Sequence, residues 1–174
     1  MELIDSKHIY SGRIIVLRED ILKRDDGSLT KWSVVEHPGA VAMLPIDGDK
    51  IILVKQFRYA TNEILLEIPA GTREKNESAI ETARRELQEE IGKDSTNIVP
   101  FGGFYTAPGF TNEYIDLFIA RDLVPVYGVE PDEDEDIQIE IVTLNEAVDM
   151  IGTGLIKDAK TIAALMRFIN ITGA

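Results

Sequence analysis

Short apolar runs cut by turn residues fill most of this chain, and helical periodicity is confined to three segments. Residues 41–46 and 50–57 are two such runs, joined by Asp47-Gly48-Asp49, which suits a tight hairpin. Upstream, 13–19 and 32–37 read as strands with Asp25-Asp26-Gly27-Ser28 as the turn between them. Pro38-Gly39 then punctuates the chain, and a short strand at 65–68 runs into Pro69-Ala70-Gly71. Further strands are predicted at 101–105, 114–120 and 137–142. Over 78–91, Ile80, Ala83, Leu87 and Ile91 form one apolar stripe, and Gly92 ends it. Thr143-Leu144-Asn145-Glu146 has capping-box spacing and starts a helix to about 151; 158–171 reads as a last amphipathic helix. Many strands with few helices, and no strict strand–helix alternation, predict an α+β fold with helices packed on a mixed sheet.

The 174 residues suit one domain, or one with a small extension. Cysteine is absent, which excludes disulfides and cysteine zinc sites and fits a reducing cytoplasm. No apolar run reaches membrane-spanning length, and residues 1–7 lack the apolar core of a signal peptide. A cytoplasmic protein with no membrane partner is expected. Thirty-one acids against 18 bases give a net charge of −13, with no basic stripe for nucleic acid. Such a surface repels phosphate esters unless its own acids hold a divalent cation.

Glu86, Glu89 and Glu90 crowd one side of the helix over 78–91. Like charges at this spacing destabilise a helix by roughly 0.2–0.5 kcal/mol per pair. A bound Mg²⁺, which takes carboxylate, water and phosphate oxygens, removes that cost. Taken alone, the cluster also fits an ordinary solvated acidic face.

Its surroundings are Gly71-Thr72-Arg73-Glu74-Lys75-Asn76-Glu77 and, seven residues on, Arg85-Glu86-Leu87-Gln88-Glu89-Glu90-Ile91-Gly92. This resembles the Nudix box, G-x5-E-x7-R-E-U-x-E-E-x-G-U, where U is a bulky aliphatic. Only the last position departs: Lys93 stands where an aliphatic is expected, at a position that packs structure. The resemblance implies a Nudix fold, an α/β/α sandwich with a mixed sheet and a catalytic loop–helix, over residues 39–174. Residues 1–38 would be an antiparallel strand extension that pairs two copies in a homodimer. It also implies that Glu86 and Glu90 ligate the metal, that Glu89 joins when more than one ion binds, and that the carbonyl of Ala70 is a further ligand. Mn²⁺ would substitute for Mg²⁺. Glu77 and Arg85 would support the loop by an ion pair, and Gly71 would let the backbone approach the metal.

Segments outside the box are similar to the ADP-ribose pyrophosphatase subgroup of that family. They are Glu36-His37-Pro38-Gly39-Ala40-Val41-Ala42, Val54-Lys55-Gln56-Phe57-Arg58, Glu67-Ile68-Pro69-Ala70-Gly71, Asp158-Ala159-Lys160-Thr161, and Pro108 sixteen positions beyond Gly92. By itself Pro108-Gly109 is equally a common turn. The resemblance implies a nucleotide-sugar substrate, ADP-ribose, cut to AMP and ribose 5-phosphate. Arg58, Tyr10, Pro108 and Gly109 are the candidate substrate contacts; Arg58 reads equally as a surface arginine at a strand end. In similar enzymes a glutamate of the 130–136 acidic loop is the general base, which points to Glu133, with Glu135 second and Glu113 as a rival. Tyr10, Trp32 and Phe57 are available to clamp adenine, though aromatic residues in strands are more often core. Two other readings stay open. One is a Nudix pyrophosphatase for another nucleotide sugar or a dinucleoside polyphosphate. The other is a non-catalytic ADP-ribose sensor, a role that usually costs box glutamates.

Overall fold

The structure, a computed structural model, describes residues 1–128 and 137–173. In chain order the elements are β1 (Glu2–Ser11), β2 (Val16–Lys23), β3 (Leu29–Glu36), β4 (Ala40–Asp47), β5 (Lys50–Arg58), β6 (Glu63–Glu67) and β7 (Ala70–Thr72). They continue with α1 (Ala79–Ile91), β8 (Lys93–Tyr105), β9 (Tyr114–Pro125), β10 (Ile137–Thr143), α2 (Leu144–Gly152) and α3 (Ala159–Thr172). The chain divides into two compact units, Met1–Gly39 with Phe104–Tyr114, and Ala40–Gly103 with Ile115–Ala174.

The second unit is built around β4. Its sheet runs β10-β5-β4-β9-β8, with β6 on β5 and β7 on β4. β4 pairs antiparallel with β5 and β7 but parallel with β9, so the sheet is mixed. The β4–β5 hairpin forms where Asp47-Gly48-Asp49 predicts it, yet the strands pair only at Ile46↔Ile51 and Asp47↔Lys50. Beyond that they splay. β5 continues against β6, from Val54↔Glu67 to Arg58↔Glu63, and β4 against β7, from Ala42↔Ala70 to Ala40↔Thr72. The bend at Ile68-Pro69 carries the chain from one partner to the other, and the Met43 amide fixes it by donating to the Pro69 carbonyl at 2.9 Å.

Helix α1 starts at a reciprocal capping box, with Ser78 as cap and Glu81 as its partner, and stops at Gly92, whose φ of 62° is the left-handed conformation glycine tolerates best. Ala83, Leu87 and Ile91 pack on Val41, Met43, Ile52, Val54, Phe118 and Ala120. Ile80, predicted on that stripe, is exposed; buried Thr82 takes its place because its hydroxyl has a partner in Glu77. Every β4 residue from Ala40 to Pro45 is buried, while only Val41 and Met43 belong to the cluster under α1. Alternation turns Ala42 and Leu44 to the other face, which is also covered. α3 packs on β4 and α2 on β10 and α3, giving the α/β/α sandwich. No helix among the described residues is long and apolar enough to cross a membrane.

In the first unit β1, β2 and β3 form an antiparallel sheet. β1 lacks any two-residue alternation and all ten of its residues are exposed, so no pattern marks it as a strand. β2 lies at 16–23 rather than at the predicted 13–19, because the Gly12 amide closes a turn onto the Ile15 carbonyl at 2.8 Å. The 106–113 segment joins this unit through the Val35↔Thr111 bridge, reinforced by the Val35 amide donating to the Phe110 carbonyl at 2.7 Å.

Candidate active site

The glutamates of α1 divide into two roles. Glu86 and Glu90 lie on the buried face of the helix. Glu90 Oε2 accepts from the Ala70 amide at 3.2 Å, so its carboxylate touches the first residue of β7. Glu86 lies over Gly71 so closely that a Cβ there would be 1.7 Å from Oε1. The glycine therefore makes room for a carboxylate against backbone. Oxygen donors gathered in this way suit a hard divalent cation. Glu89 is half-buried and held by Arg85, its Oε2 accepting from Nη1 at 2.7 Å. Among the described residues, no three His, Asp or Glu side chains are already drawn together as a closed cation cage.

Arg85 ties the loop to the helix. Its Nε and Nη2 donate to the two oxygens of Glu77 at 3.1 and 3.2 Å, and Nη2 also donates to the Thr72 carbonyl at 3.3 Å. Nη1 lies 2.7 Å from Glu86 Oε1 as well as from Glu89. Burial opposes the charge on Arg85, but the Glu77 hydrogen bond and the Glu86 and Glu89 charges outweigh it and hold its pKa above the usual arginine range. The Arg85 hydrogen bond in turn lowers the pKa of Glu77, with help from Thr82.

Arg58, expected to face substrate, has two of its nitrogens committed. Nε and Nη2 donate to Glu67 Oε1 and Oε2 at 2.8 and 2.7 Å. Lys160, in the first turn of α3, also pairs with Glu67. Burial pushes the Glu67 carboxyl up, yet Arg58 and Lys160 together bring it below the ordinary value. Sequence reasoning did not single out Glu67 or Lys160. The signal was available: Glu67 is an acid inside an otherwise apolar strand end, and it sits in a segment already quoted.

In the first unit, a pocket of about 320 Å³ is lined by Trp32, Val34, Tyr105, Phe110, Thr111 and Asn112, together with Pro108 and Gly109. Tyr105 and Tyr114 meet edge-on with ring centroids 5.0 Å apart. Tyr10 is exposed on β1 and does not line this pocket; Phe57 is exposed and belongs to the other unit. Glu113 accepts from Thr106 Oγ1 at 2.7 Å and lies 3.6 Å from His37 Nδ1. Glu133 and Glu135 lie outside the described residues.

The family model described as NUDIX domain matches residues 36–165. The chain belongs to the Nudix family. Nudix hydrolases generally use divalent metal ions, in keeping with the oxygen donors around Gly71. The ADP-ribose pyrophosphatase of Bacillus subtilis (strain 168) is 40% identical to this Nudix chain over 164 residues, 93% of this chain and 89% of that one. The methanol dehydrogenase activator of Bacillus methanolicus is 38% identical with the same coverage. A crystal structure of ADP compounds hydrolase superimposes with a TM-score of 0.86 over 98% of this chain and 95% of its own, at 22% identity, and shares the fold.

Proposed function

We propose that this Nudix hydrolase cleaves the diphosphate of ADP-ribose, releasing AMP and ribose 5-phosphate in a Mg²⁺-dependent reaction. The observation that carries the reading is the buried pair Glu86 and Glu90, set against the backbone of Ala70 and Gly71 inside a box that departs from its pattern only at Lys93. Glu86, Glu90 and the Ala70 carbonyl would hold the metal, with Glu89 joining for a second ion. Bound there, Mg²⁺ or its substitute Mn²⁺ supplies charge neutralisation at the diphosphate oxygens. Arg58 binds a phosphate oxygen with the edge of its guanidinium that Glu67 does not use. A water oxygen attacks one phosphorus, the bridging P–O bond breaks, and the water proton goes to a carboxylate base. Glu133 is the proposed base, with Glu135 second and Glu113 third.

Within the first unit, the pocket lined by Trp32, Tyr105 and Pro108-Gly109 offers an aromatic surface on which a purine can stack. Tyr10 stays a proposed substrate contact by way of a second copy of the chain. Support for that homodimer comes from β1, which exposes Leu3, Ile4, Ile9 and Tyr10. A cytoplasmic location goes with a nucleotide-sugar substrate.

The test is product identification from ADP-ribose in ¹⁸O-labelled water with Mg²⁺, beside a panel of other nucleotide sugars and dinucleoside polyphosphates. AMP and ribose 5-phosphate, one of them labelled, are expected. Faster turnover of another compound would move the substrate assignment, and tight ADP-ribose binding with no product would make the protein a sensor. Glu90→Gln should lower turnover by about 100-fold or more with the fold intact, as expected for a group that acts on the reacting phosphate through the metal.

A further inference from the structure

Glu67 is 1% exposed, the most deeply buried carboxylate among the described residues, and it lies outside the box. Taking such a group out of water costs several kcal/mol unless it is paired, and an apolar residue of similar size often gives a more stable protein. Stability alone is therefore a weak reason for an acid here. What Glu67 provides is geometry. A carboxylate that accepts from both Nε and Nη2 fixes the plane of the guanidinium, which a lone arginine on a flexible stem cannot do. Three residues after Glu67 the chain meets a proposed metal ligand, the Ala70 amide donating to Glu90 at 3.2 Å, and the charge of Glu90 reaches Arg58.

The clamp is anchored from a distant part of the chain. Lys160 pairs with Glu67 and lies 3.2 Å from Asp158. Asp158 caps α3 by accepting from the Thr161 amide at 2.9 Å, and Thr161 Oγ1 in turn accepts from the Ile68 amide at 2.8 Å. The first turn of α3 thus holds the 67–68 end of the bend that leads to Ala70 and Gly71.

We propose that Glu67 is a positioning residue: with Lys160 holding it from α3, it fixes Arg58 in one orientation to receive a phosphate of a nucleoside diphosphate. The proposal rests on the diphosphate chemistry proposed above. In that chemistry Glu67 acts only through Arg58 and never touches substrate.

A double-mutant cycle with Glu67→Gln and Arg58→Met tests it, read by calorimetry with α,β-methylene ADP-ribose and Mg²⁺ and by kcat and KM for ADP-ribose. Glu67→Gln should weaken analogue binding and raise KM about tenfold in the wild type, but change either by less than about twofold in the Arg58→Met background. Mn²⁺ affinity, followed by electron paramagnetic resonance, should be the same in all four proteins. Equal losses in both backgrounds, or an altered Mn²⁺ affinity, would show a merely structural role and overturn the proposal. Should Glu67→Gln fail to fold, Glu67→Asp completes the same cycle, since its shorter reach breaks the two-point contact. A wild type that binds the analogue without cleaving ADP-ribose removes the catalytic reading and leaves the coupling measurable. One that does neither overturns both.

Discussion

A single methyl group is enough to separate fold from chemistry at Gly71. Placed 1.7 Å from Glu86 Oε1, it would push the carboxylate off the backbone. Because the displaced atoms are the end of a side chain, Gly71→Ala should melt within a few degrees of wild type. Its turnover should nevertheless fall by about 100-fold, the scale of loss expected when a proposed metal ligand is displaced by an ångström. Calorimetric melting alongside an ADP-ribose assay checks both halves. Glu67 gives a second prediction at this scale. Its folded-state pKa is below the ordinary 4.5, so its pairing stabilises the protein above that pH and is lost as pH falls through the lower folded value. Urea midpoints should therefore drop below about pH 4.5, and drop less in Glu67→Gln, whose side chain does not titrate. Lys160→Met, which leaves Glu67 with Arg58 alone, should cost about 2–3 kcal/mol in the same assay at pH 7. The box glutamates were legible because their signal is local, a spacing along one helix and its loop. The pairing of Glu67 was not legible, since it depends on a lysine 93 positions away and on the β5–β6 register.

At the scale of elements, caps and glycines told more than hydrophobicity. α1, α2 and α3 start where Ser78, Thr143 and Asp158 place them, because a cap is a contact within one turn. Removing one should act through the helix it starts. Ser78→Ala is expected to lower stability by about 1 kcal/mol in urea unfolding. The strands were harder to read. β1 has no alternation, β2 is displaced by the turn at Gly12, and β8 begins at Lys93, well before the predicted 101. Each boundary is set by partner strands rather than by its own residues. Lys93, the one departure from the box pattern, opens β8 half-exposed, so the chain meets no buried lysine there.

For the whole molecule, the family resemblance implied a division at residue 38, and in the structure 104–114 also clusters with the N-terminal strands, through contacts such as His37 N–H to Asn112 Oδ1 at 2.8 Å. No local pattern announces a pairing that distant. If β1 joins two copies, Leu3→Lys with Ile9→Lys should convert a dimer to monomers in sedimentation and raise KM for ADP-ribose. An unchanged sedimentation coefficient would remove β1 from the interface. The parallel pairing of β4 and β9 also has a consequence for synthesis. Ala40 is paired with Ile115, 75 positions later. A ribosome adding about 5–20 residues per second leaves that edge waiting roughly 4–15 s for its neighbour to be made. The apolar core of β4 is therefore on offer to chaperones during every round of translation, and refolding of the finished chain should be limited by the search for this distant partner.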